Sequence, residues 1–341
     1  MKRLVTITVI FLLVSLSLTA KSTTQTMWAF GGARFALGSD SDSFLGNPAL
    51  LASSDRTTRS FIVSSGFEDS AESWDFEEPS VSLGVSFIAG RMAFSIMNVS
   101  SVTRIKEYTY TGKRTSLFQF DLALGRQPFY IGFTAQVEAL SERSEMIFRP
   151  ELIWSDYFVS TSFGRYEPID QIGSISFGVS FLLDYSWISM AVTSTKFASS
   201  ETSETLNISF DSLLKSLGWG MAVETPKYNE RNELHLFTVR AAVDIANMGS
   251  SEERELRMGT SITFNLLPTY DISLILGYHE QKGEATDWLG LKFAQGFQNQ
   301  TLAITLNTMK ILIGYEFPTA WYVNKPSPRP AKALVGLRLF L

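Results

Sequence analysis

The residue types able to do chemistry in this chain are few. His235 and His279 are the only imidazoles, and there is no cysteine. The two histidines are far apart in sequence and lack metal-ligand spacing. Without cysteine there can be no disulfide, thiolate metal site, cysteine nucleophile or lipid-acceptor cysteine. No serine elbow, phosphate loop or dinucleotide fingerprint occurs. The acidic groups Glu68, Asp69, Glu72, Asp75, Glu77 and Glu78, then Glu252, Glu253 and Glu255, carry oxygen ligands of the kind Ca²⁺ takes. Their clustering reads instead as solvated loops. The expectation is a chain with no catalytic residues, no metal and no cofactor: not an enzyme.

The elements around these residues point elsewhere. Met1-Lys2-Arg3 is a basic start, Leu4 to Leu18 is apolar with scattered Ser and Thr, and Thr19-Ala20 offers a small-residue cleavage site. This is the layout of a secretory signal over residues 1–20. Beyond it no stretch reaches the ~20 apolar residues of a membrane helix. Yet only 18% of the 341 residues are charged, 13% are aromatic and 26 are Phe. A water-soluble chain carries nearer to about a quarter charged residues. Net charge is −5 with no basic run, which argues against nucleic acid as a partner.

Dyad alternation supplies the fold class. Phe118, Phe120, Leu122 and Leu124 alternate with Gln119, Asp121 and Ala123. Ile131, Phe133, Ala135 and Val137 alternate with Gly132, Thr134, Gln136 and Glu138. Phe237, Val239, Ala241, Val243 and Ile245 alternate with Thr238, Arg240, Ala242 and Asp244. Successive side chains on a strand face opposite ways. In lipid every backbone polar group must be paired, so a spanning sheet must close. The reading is all-β: a transmembrane antiparallel β-barrel over residues 60–341, facing outer-membrane lipid and folded by barrel-assembly machinery.

Connections alternate in length. Glu68–Pro79, Arg104–Arg114, Ser141–Glu145 and Lys196–Ser216 read as long or polar loops. Ala89–Arg91, Gly125–Pro128, Ser155-Asp156 and Leu183-Asp184 read as tight turns. Long outer loops and short periplasmic turns place both termini in the periplasm. Leu302, Ile304 and Leu306 sit on one parity, and Ile311, Ile313, Tyr315 and Phe317 on the other. A bulge near Asn307-Thr308 within one long strand would reconcile them, giving about 14–16 strands. Trp74, Trp154, Trp187, Trp219, Trp288 and Trp321 fall near strand ends, as an interfacial belt requires. Leu206, Phe210, Leu213, Leu214 and Leu217 share one face of a short amphipathic helix. The chain ends Leu339-Phe340-Leu341, where barrels usually end in an aromatic residue.

Residues 21–59 do not alternate. Gly31-Gly32-Ala33-Arg34-Phe35-Ala36-Leu37-Gly38 precedes an Asp/Ser run and Phe44-Leu45-Gly46-Asn47-Pro48-Ala49-Leu50-Leu51-Ala52. Glycines allow close backbone approach, and Asn47-Pro48 favours a turn opening a short helix. Such a segment can fold into a barrel lumen and plug it.

Gly32-Ala33-Arg34, Ala36-Leu37-Gly38 and Asn47-Pro48-Ala49 together resemble the start of FadL-like outer-membrane transport proteins, a superfamily of channels for long-chain fatty acids and other hydrophobic compounds that includes a spirochaetal branch. The resemblance implies an N-terminal hatch in the lumen, passive uptake of hydrophobic small molecules such as fatty acids or similar lipids, and release sideways through the wall. Asn47, Pro48 and Ala49 become candidate hatch residues, gating or structural, with Gly32, Arg34 and Gly38 supporting them. The other functions to be weighed are a structural barrel that scaffolds protein partners and a general porin.

Overall fold

The computed structural model describes residues 29–30, 32–37, 47–53, 60–70, 80–148, 160–161, 164–185, 187–201, 207–208, 210–250, 254–288, 291–319 and 332–340. The expected signal segment 1–20 lies outside the described residues.

The strands are β1 (Ser60–Ser70), β2 (Ser80–Ala89), β3 (Met92–Lys106), β4 (Thr109–Arg126), β5 (Phe129–Ile147), β6 (Glu167–Asp184), β7 (Ile188–Glu201), β8 (Asn207–Ile208), β9 (Leu217–Glu224), β10 (Phe237–Ala246), β11 (Glu255–Leu267), β12 (Tyr270–Trp288), β13 (Leu291–Leu306), β14 (Met309–Thr319) and β15 (Lys332–Phe340). Two short helices, α1 (Leu50–Ser53) and α2 (Phe210–Lys215), accompany them. Apart from the two-residue β8, neighbours pair antiparallel around a closed wall of 14 strands. β15 closes the wall on β1, with Phe340 opposite Ile62 and Val335 opposite Phe67. Among the described residues no helix is long and apolar enough to cross a membrane.

The dyad pattern sorts the side chains as expected. Phe120 is 47% exposed on the outer face, while its neighbour Asp121 is 0% exposed on the inner one. Phe94, Phe133, Ile262 and Leu274 are likewise exposed; Ser95, Gln119, Ser261 and Ser273 are buried. An exposed apolar belt around a closed sheet suits lipid, where no backbone group is left unpaired. The core lies inside the barrel. Phe30, Phe35, Leu37 and Leu50 pack there against Tyr130, Leu182, Ala191, Ile275 and Leu312 of the wall.

Two sequence expectations change. Asn307-Thr308 is not a bulge in one strand but the turn of a β-hairpin. Leu306 pairs with Met309, Ile304 with Ile311 and Leu302 with Ile313. A two-residue turn places residues i and i+3 opposite each other on one face, so it reverses parity as a one-residue insertion does. Asn307 takes the left-handed conformation there, φ 54°, which Asn tolerates.

Arg104–Arg114 and Ser141–Glu145 are not loops. β3 and β4 continue to the turn at Glu107-Tyr108, and β5 runs to Ile147. β4 has 18 residues and β5 has 19, whereas crossing a bilayer takes about 9–11. Pairing therefore extends past the apolar zone, where strands need no apolar face. In the wall β5 pairs directly with β6, Phe129 opposite Leu183 and Glu142 opposite Glu167; the tight turn expected at Ser155-Asp156 lies outside the described residues.

One end of the barrel carries the short turns Gly90-Arg91, Gln127-Pro128, Tyr185–Trp187, Pro268-Thr269 and Asn307-Thr308, with one longer connection, 225–236. The other end carries most of the longer connections, with the tight Glu107-Tyr108 turn as an exception. Trp187 sits at a strand end, Trp288 ends β12 and Trp219 is the third residue of β9; Trp74, Trp154 and Trp321 lie outside the described residues. The expected amphipathic helix is reduced to α2, because Leu217 already begins β9.

Candidate functional site

The segment before the wall sits in the lumen and is held at three sectors. Its first piece turns at Gly32, φ 83°, with Ala33 N donating to Phe30 O at 3.1 Å. A side chain at Gly32 would be strained by that φ and would begin 3.2 Å from Arg257 Cδ. The turn presents two consecutive amides to one acceptor on β10. Arg34 N and Phe35 N donate to Asp244 Oδ2 at 2.5 and 2.8 Å. Asp244 is 0% exposed. A carboxylate buried on a wall of small residues costs free energy unless hydrogen-bonded, and the backbone of Arg34 and Phe35 supplies those bonds.

Room for this contact comes from glycine in the wall. Gly220 of β9 lies directly opposite Asp244 in register. A Cβ there would stand 2.7 Å from Phe35 Cβ and 3.2 Å from Asp244 Cγ. Gly218 also faces the Phe35 ring, and Gly259 of β11 faces Phe30. The Arg34 guanidinium lies among Arg257, Asp244 and Glu255. Burial first, then Arg257, push its pKa down to about 10, against the opposing pull of the two carboxylates. Arg257 is itself held by Glu255, Nη2 to Oε2 at 2.5 Å. Glu255, read from sequence as part of a solvated acidic loop, is thus a partner in the lumen network at the start of β11. The register of β11 against β10 puts it there.

The Asn-Pro-Ala piece forms the second contact. The Asn47 side-chain amide donates to Phe35 O, and its Oδ1 accepts from Ala49 N at 3.0 Å. Asn47 therefore joins the piece around Phe35 to the Asn-Pro-Ala piece. Pro48, which has no N–H to satisfy, opens the turn. Leu50 N donates to Asn47 O at 3.2 Å, Leu51 N to Pro48 O at 3.1 Å and Ala52 N to Ala49 O at 3.1 Å, which leads into α1. Ser53 Oγ closes that helix on Leu50 O at 3.2 Å. Ala49 N also reaches Ser180 Oγ of β6 at 3.3 Å. Gly132 of β5 is paired with Ser180, and a Cβ there would stand 2.6 Å from the Pro48 carbonyl carbon. The third sector is apolar: Leu51 packs with Ile88, Ala93 and Ala123 of β2–β4.

Of the residues singled out in sequence, Gly32, Arg34, Asn47, Pro48 and Ala49 meet in this assembly; Gly38 lies outside the described residues. Sequence reasoning missed the wall's half of the site: Asp244, Ser180, Gly132, Gly220, Gly259 and Arg257. Asp244 and Gly132 already stood out on the inner parity of otherwise small or apolar strands. Elsewhere in the lumen, Gln119 Nε2 donates to both oxygens of Asp121 at 3.0 and 2.8 Å. His279 Nε2 lies 3.8 Å from Glu316 Oε2, and its ring stacks on Phe297. His235 is exposed, just before β10. Glu72, Asp75, Glu77 and Glu78 lie outside the described residues.

No protein-family model matches the chain, and no curated protein matches it in sequence. Solved structures do resemble it. The CymD monoaromatic hydrocarbon channel superposes with a TM-score of 0.55 at 7% identity, covering 92% of this chain and 95% of that one. A FadL homologue from Pseudomonas aeruginosa superposes with a TM-score of 0.50 at 9% identity, covering 95% and 99%. The chain therefore shares the fold of these barrels over nearly its whole length. The resemblance read from the hatch motif is met at the level of fold.

Proposed function

We propose that this chain is a FadL-like channel of the bacterial outer membrane, taking up hydrophobic molecules passively. The observation that carries the reading is a barrel with an apolar outer belt whose lumen is occupied by its own hatch, pinned to Asp244 and seated on wall glycines. An occupied lumen does not suit a general porin. It suits a solute that leaves the barrel before crossing its full length. The fold likeness to a hydrocarbon channel and a FadL homologue supports the same reading.

In this reading residues 1–20 direct export, residues 21–59 form the hatch and the barrel-assembly machinery inserts the wall. The short-turn end and both termini face the periplasm. An apolar solute gains about 25 cal/mol per Å² on leaving water for an apolar surface. The hatch motif around Asn47, Pro48 and Ala49 then shifts, and the solute leaves laterally into the bilayer. Long-chain fatty acids are the solutes of choice. Uptake of labelled fatty acid by cells with and without the protein tests this, together with saturable binding by the purified barrel. Unchanged uptake and no binding would reject it.

A second reading is a structural barrel that scaffolds protein partners, favoured by the polar, packed inner face around Asp121 and Asp244. A stoichiometric protein partner on purification, with no bound solute, would select it.

A further inference from the structure

The outer face of the barrel carries a cleft that the uptake reading does not use. It lies where β4 turns into β5, has a volume of about 530 Å³ and is lined by Leu124, Arg126, Gln127, Pro128, Phe129 and Ile131, with Gly125 at the turn. Leu124 pairs with Ile131, and Arg126 with Phe129. All four sit on the parity of Phe118 and Phe120, the outer face. Phe129 is 64% exposed, so the apolar belt continues into the cleft without a break.

The lining of the cleft carries one sign of charge. Arg126 is its only ionised lining residue. The neighbouring turn adds Arg91, whose carbonyl accepts from Ala123 N at 2.8 Å, bringing the two turns to the same stretch of rim. Both arginines are exposed, and neither has an ion-pair partner among the described residues. Asp184, the last residue of β6, donates its backbone N to Pro128 O at 2.9 Å, and its Oδ1 accepts from Ser189 Oγ at 3.1 Å. Tyr185 and Trp187, 54% and 60% exposed, stand on the turn that follows β6. Exposed aromatic rings with polar edges mark the level of the lipid headgroups.

We propose that this cleft binds one anionic phospholipid from the surrounding leaflet. An acyl chain lies against Leu124, Phe129 and Ile131, and the headgroup phosphate lies on Arg126 and Arg91. Arginine suits phosphate because its fork donates two parallel hydrogen bonds. The proposal rests on the orientation given above only for which leaflet supplies the lipid, the periplasmic one.

The test is lipid competition on the purified, folded, full-length barrel in detergent micelles, read by native mass spectrometry. Phosphatidylglycerol is compared with zwitterionic phosphatidylethanolamine. The expected result is one phosphatidylglycerol retained with a preference of about tenfold, from two cationic side chains near a headgroup. In R91Q/R126Q the preference disappears, whereas R126K, which keeps the charge but not the fork, keeps only part of it. Heat-modifiable gel migration reports that each variant is folded. Should the double variant not fold, salt replaces it: the wild-type preference must fall at high ionic strength. Equal retention of both lipids, or a preference indifferent to the substitutions and to salt, would mean annular lipid only and overturn the site. Micelles have no leaflets and the assay involves no fatty acid, so an error in the orientation or in the uptake reading leaves this outcome untouched.

Discussion

The backbone amide of Arg34 donates to the carboxylate of Asp244, 210 residues further along the chain, at 2.5 Å. Phe35 N shares the same oxygen at 2.8 Å. One wall side chain thus holds two successive residues of the hatch, and it does so through backbone, not through hatch side chains. These two bonds do not depend on which side chains stand at 34 and 35, although the Arg34 guanidinium and the Phe35 ring make lumen contacts of their own.

Replacing that acceptor should loosen the hatch and spare the wall. D244A leaves two buried amides without their charged partner, a loss of about 2 kcal/mol or more. That corresponds to roughly a thirtyfold rise in the undocked population. A cysteine placed at Ala33 in the D244A background should react with a water-soluble maleimide correspondingly faster, with heat-modifiable migration unchanged. Equal labelling rates in the two backgrounds would show that Asp244 does not hold the hatch.

Gly132 should tolerate no side chain while the hatch is in place. A Cβ there meets the backbone of Pro48 and Ala49, and backbone cannot rotate away as a side-chain tip can. G132V should cost about 1–3 kcal/mol of docking. The readout is conductance in planar bilayers: sporadic openings should appear in G132V and be rare in the wild type. The same substitution at Gly90, where an added Cβ meets nothing within 4 Å, would be strained at φ 61° but should not open the lumen.

Asn47 acts as donor and acceptor at once, and two substitutions separate the roles. N47D keeps the acceptor for Ala49 N but sets a carboxylate against Phe35 O. N47A removes both contacts without adding repulsion. N47A should weaken docking by about 1–2 kcal/mol, and N47D should weaken it more. Limited proteolysis of the folded barrel, scored by N-terminal fragment release, ranks them. N47D behaving as wild type would mean that the bond to Phe35 contributes little.

The Asn307 turn yields a topological check. N307V forces a β-branched residue into the left-handed region and should cost about 1–2 kcal/mol, whereas N307G should be near neutral. Cysteines at Thr308 and at Arg91 should be labelled from the same side of the membrane, since both lie in turns at one end of the barrel. Labelling of Thr308 from the opposite side would contradict the β13–β14 hairpin.

The period of two was legible in the sequence. It assigned Phe120 to the outside and Asp121 to the inside, and it assigned a closed sheet once no stretch was long enough for a membrane helix. That alternation is local, set by the backbone geometry of each strand, so it needs no knowledge of neighbours. Residues 21–59 were legible as a segment that breaks the alternation, and Asn47-Pro48-Ala49 as a turn within it. What the sequence could not settle lay wherever two local solutions have the same parity. A bulge and a two-residue hairpin at Asn307-Thr308 shift the phase alike, and only the pairing of Leu306 with Met309 separates them. Polar stretches such as Ser141–Glu145 look alike as loop or as strand beyond the bilayer, because outside lipid the apolar requirement lapses. The hatch seat was the least legible part. Asp244, Ser180, Gly132 and Gly220 are ordinary inward-facing residues until closure of the barrel brings them to Arg34, Phe35 and Ala49. Those contacts span 131 to 210 residues, and no local pattern encodes a separation of that length. Side-chain direction belongs to the sequence; the partners that meet in the lumen belong to the closed barrel.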